Sequence, residues 1–336
     1  MTAMRKFFVV FLLFLGMVFI VLNAGELENT IETLRRANLW FLILALLLLV
    51  VWMANTGLTY RSIYHLLGME EESGRMTLAA AASIFVNIVT PTAGMGGIAV
   101  FINDARQRGH PPGKVTLAGA LFILFDQAAF LVVLALGLLV LIRRNHLNAG
   151  EIIASLLLFT VASIFAFLLY LGYRSADELG NMLARGAHFL NRFVRLFIRR
   201  DYFSEARAHA FAGELAEGLA DLRQHPRKMI PPFLHALLNK TLLTLLLLVL
   251  FLAFDVPFSA GTIIAGFAIS YLFMIVSPTP SGIGVVEGVM PLTLASLRVP
   301  WEAAVVLTLA FRAVTLWLPL GVGAAALRVL HLSSPE

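Results

Sequence analysis

Ile-Val-Thr-Pro-Thr at residues 88–92 and Ile-Val-Ser-Pro-Thr at residues 275–279 are nearly one phrase, written twice in an apolar chain. Glycines follow each copy: Gly94, Gly96 and Gly97 after the first, Gly282 and Gly284 after the second. Proline removes a backbone donor and glycine weakens a helix, so both stretches predict broken helices. At membrane depth, broken backbone survives only where protein or a watery cavity satisfies it. Paired breaks in two halves of a chain point to a transporter's binding site.

The surrounding composition names the solvent. Of 336 residues, 60% are hydrophobic and 13% charged, against about 25% charged in globular domains. There is no cysteine, so disulfide and thiolate chemistry are excluded. The net charge of +5 is no nucleic-acid signal. Its basic residues fall in loops between apolar runs, where they set topology.

Uninterrupted apolar runs cover 7–22, 39–58, 115–142, 152–171, 233–254 and 301–327. Each predicts a helix able to cross about 30 Å of hydrocarbon at about 1.5 Å per residue, run 7–22 falling just short of a comfortable span. Run 7–22 follows Arg5 and Lys6 and reads as a retained first helix rather than a cleaved signal peptide. The interrupted segments are 77–103 and 262–297.

Loop 104–114 carries Arg106, Arg108 and Lys114, and segment 174–228 holds ten Lys or Arg, so both are expected on the cytoplasmic face. Segment 77–103 must then enter and leave on one side, as a re-entrant hairpin turning at 91–97. Three full spans separate it from the second interrupted segment, so the second hairpin should enter from the opposite face. The expected fold is all-α and polytopic, a single domain over 1–336. It has about six full spans, two re-entrant broken-helix hairpins and an inverted repeat. A full crossing by 262–277, with the C-terminus outside, is the alternative.

Segment 174–228 reads as a cytoplasmic helical insertion between the repeats. Phe189, Leu190, Phe193, Leu196 and Phe197 make one apolar stripe, with Arg185, Arg192, Arg195 and Arg199 mainly off it. That pattern suits a basic amphipathic helix on a membrane surface, and equally a helical hairpin packed on itself.

Ionisable groups inside spans cost about 3 kcal/mol on insertion scales and ask for a reason. Asp126 lies eleven residues past Val115, and Arg312 eleven past Trp301. Eleven residues rise about 16 Å, so both reach the midplane in the inverted topology. They are expected either to pair as a structural tie between repeats or to act on a substrate. Glu287, Asn87 and Gln127 are candidate cavity-lining groups, with helix-to-helix hydrogen bonding the plainer role for the two amides. Gly97 and Gly284 lie 187 residues apart, as Pro91 and Pro278 do. Each glycine opens a half-helix whose amides suit a phosphate, or else allows close helix packing. The candidate substrate-binding set is Asn87, Pro91, Gly97, Asp126, Pro278, Gly282, Gly284, Glu287 and Arg312. Lys240 is expected to snorkel to the interface, and His235 to sit there.

No P-loop, GxSxG or HExxH pattern occurs, and the eight histidines show no metal-ligand spacing. Neither an enzyme nor a cofactor is expected.

The stretch 85–97, Phe-Val-Asn-Ile-Val-Thr-Pro-Thr-Ala-Gly-Met-Gly-Gly, precedes a basic loop and the helix carrying Asp126. The stretch 277–288, Ser-Pro-Thr-Pro-Ser-Gly-Ile-Gly-Val-Val-Glu-Gly, precedes the helix carrying Arg312. Together they resemble the lysylphosphatidylglycerol synthase transmembrane region, or flippase-like family, over nearly the whole chain. Bifunctional members of that family join the membrane domain to a soluble aminoacyl transferase and move the aminoacylated lipid they make. The resemblance implies the flippase-like half only. It departs from the family where Ile98 follows Gly97 and no arginine comes before Arg106. Many members carry Gly-Glu and then Arg there, so that headgroup role does not transfer.

The resulting expectation is a multi-pass plasma-membrane protein that binds and translocates an anionic phospholipid or lipid-linked headgroup. The alternative is a non-transporting partner that holds lipid for a separate glycosyl- or aminoacyl-transferase.

Overall fold

The computed structural model describes residues 37–90, 96–143, 149–174, 226–277 and 279–332. Run 7–22, Pro91, Gly94, Pro278 and nearly all of the 174–228 insertion lie outside the described residues. The described elements are helices: α1 Leu39–Leu66, α2 Ser73–Val89, α3 Gly96–Gln107, α4 Pro112–Arg143, α5 Ala149–Arg174, α6 Ile230–Ala253, α7 Ala260–Val276, α8 Val285–Ser296, α9 Trp301–Arg312 and α10 Leu318–Leu332. Short 3-10 turns add Pro226–Met229 and Pro280–Gly282, and a π turn over Ala313–Trp317 joins α9 to α10. No strand occurs among the described residues. The fold is an all-α, membrane-type bundle.

Among the described residues, four stretches are long and apolar enough to cross a membrane: Leu39–Leu66, Gly113–Arg143, Arg227–Ala253 and Trp301–Leu330. Their outward side chains are apolar. Trp40 is 80% exposed, and Leu47, Val50, Leu136 and Trp317 are exposed with it. Such belts are stable only against lipid.

Both breaks have a local cause. A residue before proline is pushed out of the helical region. Thr90 stands extended (φ −108°, ψ 130°) before Pro91, and Ser277 (φ −65°, ψ 137°) before Pro278. After each break the chain returns along the helix it left. In the first hairpin, Arg75 at the start of α2 bonds Asp104 near the end of α3, and the Gly97 amide reaches Asn87 near the tip. In the second, Gly266 of α7 lies against Leu294 of α8, and Gly282 against Met274.

The helices of the two broken hairpins match in length. α2 and α7 each have 17 residues, with both ends offset by 187 (73 to 260, 89 to 276). α3 and α8 each have 12, starting at 96 and 285. The leading helices run antiparallel: the Asn38 amide at the start of α1 donates to Ala253 O at the end of α6 (2.7 Å), and Asn55 Nδ2 to Asn239 Oδ1 (2.7 Å). α2 packs on α10 of the other half, and α7 on α4. Residues 79–83 of α2 and 265–270 of α7 are buried without interruption. A helix apolar and buried on every side belongs to the centre of the bundle. The broken limbs are therefore clothed by protein, as their unpaired backbone requires.

Close approach of α10 to α2 depends on Gly323. A Cβ there would strike the Ala81 carbonyl oxygen and sit 2.7 Å from Phe85 Cβ, whereas one on Gly321 meets nothing within 4 Å. Gly323→Ala is expected to destabilise by about 1–3 kcal/mol, the scale of overpacking. Gly321→Ala is expected to be neutral or slightly stabilising. Thermal unfolding of the two variants in detergent checks the contrast.

Candidate functional site

At the first break, Asn87 and Gly97 come together. Asn87 Oδ1 accepts the Gly97 N–H at 2.6 Å, and Gly97 has no room for a Cβ, which would lie 2.6 Å from Asn87 Nδ2. Asn87 thus satisfies one of the four orphan amides that open α3. Asn87→Ala is expected to cost about 1 kcal/mol, as cap losses do, with Asn87→Asp retaining most of it. Chemical denaturation in detergent measures both.

The second break is built more heavily. Gly282 and Gly284 take positive φ (68° and 83°), and Ser281 between Pro280 and Gly282 does so as well (φ 50°). Gly284 starts α8. Glu287, three residues on, reaches back so that Oε2 accepts the Gly284 N–H at 2.7 Å. That is the Glu half of a capping box. Oε1 accepts Arg312 Nε at 2.7 Å, and Arg312 Nη2 donates to Ser281 O at 3.0 Å. Arg312 is 3% exposed and leads directly into the π turn, where Pro319 two residues beyond removes a helical donor. One arginine therefore ties the last span to both sides of the broken turn.

The Gly97 and Gly284 amides are thus engaged by Asn87 and Glu287 rather than open to an incoming anion.

The expected Asp126–Arg312 pair does not form. Arg312 pairs with Glu287, while Asp126 Oδ1 lies 2.6 Å from Lys240 Nζ. Lys240 also donates to Tyr271 Oη at 2.6 Å and stands 4.3 Å from that ring's centroid. Lys240 does not snorkel: its side chain is 2% exposed. Its helix begins at Ile230, so it lies about 15 Å along the axis. Asp126 is 20% exposed, and the neighbouring Gln127 keeps Oε1 buried with no hydrogen-bond partner among the described residues. His235 is half-buried, and its Nδ1 lies 2.7 Å from Oδ1 of the buried Asn55.

Two cavities open at opposite ends of the bundle. One, of about 760 Å³, lies between the end of α1, the start of α6 and the α1–α2 loop. Arg61, His65, Glu71, Arg108, Lys228 and His235 line it. Glu71 organises its rim. The carboxylate accepts Arg108 Nη1 at 2.8 Å and lies 3.0 Å from His110 Nε2, and the carbonyl accepts Arg61 Nε at 3.1 Å. The other cavity, about 450 Å³, is lined by Pro257, Ser259, Thr262, Ser296 and Arg298 at the corresponding loops of the second half.

Sequence reasoning missed Lys240, Tyr271 and the Glu71 clamp. An ionisable residue inside a span was the available signal for Lys240. No group of three or more metal-binding side chains occurs among the described residues.

No curated protein matches the chain. The family model of the lysylphosphatidylglycerol synthase TM region matches residues 7–323, and the chain belongs to that family of membrane proteins concerned with lipid.

Proposed function

We propose that this protein binds the headgroup of an anionic phospholipid or lipid-linked carrier and moves it across the bilayer, with no chemical conversion. The observation that carries the reading is the pair of antiparallel broken hairpins, with α2 of the first packed on the 3-10 turn of the second. The matching helix lengths and antiparallel α1 and α6 support an inverted repeat, the architecture in which two mouths open on opposite faces. A polar cavity stands at each mouth. Between them, Asp126, Lys240, Glu287 and Arg312 supply buried charge, which in a membrane span marks a path for polar cargo. With the basic loops on the cytoplasmic side, as the positive-inside rule favours, the larger cavity would face the cytoplasm. The acyl chains stay in the bilayer while the headgroup passes along the hairpins. Of the candidate set, Asp126, Glu287 and Arg312 line or gate the passage, and the glycines shape the turns.

Reconstitution in liposomes carrying a fluorescent anionic phospholipid tests this. Label in the inner leaflet should become reachable by a membrane-impermeant quencher, and Glu287→Gln should slow the movement about tenfold, a barrier change of about 1.4 kcal/mol. Folded protein that leaves the label where it began refutes transport. A stable complex with the lipid in that case favours the holding role.

A further inference from the structure

The Asp126–Lys240–Tyr271 cluster has no part in shaping either break. It draws on α4 of the first half and on α6 and α7 of the second, and among the described residues it is the ion pair that joins the halves. Glu287–Arg312, Arg75–Asp104 and Glu71–Arg108 each stay within one half. Phe130 and Phe267 pack on the Tyr271 ring, with centroids 4.7 and 5.4 Å away. Further along, α4 touches α7 at Gly137, where a Cβ would lie 2.5 Å from Ala268 Cβ. The limb of the second hairpin is thereby clasped by a helix of the other half.

A buried ammonium cannot be left without a counter-charge. Lys240 is enclosed, whereas Asp126 is the member with a fifth of its side chain exposed. An arriving anion can take over the ammonium only by displacing that carboxylate.

Resting on the transport reading above, we infer that Lys240 is the in-membrane binding group for the phosphate of the transported headgroup, kept in reserve by Asp126. Exchange of the Asp126 carboxylate for the phosphate then removes the charge tie between α4 and α6, while the Phe130–Tyr271 and Gly137–Ala268 contacts remain. Tyr271 is a positioning residue that aims the ammonium.

The test is binding of dihexanoyl phosphatidate to the purified full chain in detergent, by calorimetry, with inorganic phosphate as a parallel probe. Unmasking Lys240 with Asp126→Asn should tighten binding about tenfold, and Lys240→Met should weaken it by at least as much, the scale of a charge-assisted contact. A purely structural pair would shift both variants the same way, and that result overturns the proposal. The charge swap D126K/K240D guards against misfolding. It restores the pair but moves the ammonium to α4, so binding should stay weak, and wild-type affinity in the swap also overturns the proposal. Tyr271→Phe should weaken binding modestly. Inorganic phosphate binding as tightly as the lipid would overturn the lipid source of the anion. The opposed shifts in a protein that moves no lipid would leave this site standing and sink transport. Lipid movement with no opposed shifts would do the reverse.

Discussion

Arg312→Gln destabilises the protein by about 3–5 kcal/mol, because it leaves the Glu287 carboxylate as an uncompensated charge in a low-dielectric site. The loss falls on three contacts at once. Nε no longer reaches Glu287, Nη2 no longer reaches the Ser281 carbonyl, and the capping carboxylate on Gly284 N–H loses its counter-charge. Glu287→Gln is expected to cost a similar amount, because it leaves the more deeply buried Arg312 without its counter-charge although the glutamine keeps the cap. Its amide oxygen still accepts from Gly284, and Arg312 keeps the Ser281 carbonyl. The double variant should cost less than the sum of the singles, by about 0.5–3 kcal/mol, since one interaction is removed twice. Denaturant unfolding in detergent gives all three values. Additive costs would show that the two side chains do not act as a pair.

The breaks were legible in the sequence because their cause is local. Proline fixes the residue before it, and Thr90 and Ser277 comply. The 187-residue offset of the repeated phrase holds for both ends of α2 and α7. Asp126 does lie within a 32-residue helix, and Arg312 ends the 12-residue α9 inside the apolar stretch Trp301–Leu330. Partnership was not legible. Equal depth is one coordinate, whereas pairing also needs helix rotation and lateral neighbours, which only packing supplies. Asp126 therefore met Lys240 from α6, and Arg312 met Glu287. Lys240 was read as superficial because the apolar run opens at Phe233, while the helix opens earlier, at Ile230, after a 3-10 turn from Pro226. The Glu287 contact with Gly284 was within reach, since a Glu at the third helical position is a sequence-level cap signal. The Glu71 clamp was not, because a loop's path leaves no periodic trace.

Gly282→Ala should be the most damaging of the smallest possible changes. The residue holds φ 68°, and a Cβ would lie 2.8 Å from both Met274 Cα and Val286 Cγ2. The left-handed backbone costs a non-glycine residue about 1–2 kcal/mol. The overlap adds about 1–3 kcal/mol, because Met274 Cα is backbone of α7 and cannot swing aside. Together these predict a loss of about 2–5 kcal/mol from one methyl group. Gly288→Ala, six residues on, adds the same methyl inside α8 with nothing within 4 Å. It should stabilise by up to about 1 kcal/mol. Opposite signs in the two unfolding curves would locate the effect in the turn and not in the loss of glycine as such, whereas equal shifts would mean that the turn is looser than the described geometry. The comparison also bears on Arg312. Ser281, whose carbonyl Arg312 holds, takes a positive φ beside Gly282 in the same turn. A relaxed turn would carry that carbonyl away from the guanidinium. Gly282→Ala combined with Arg312→Gln should therefore cost less than the two changes summed.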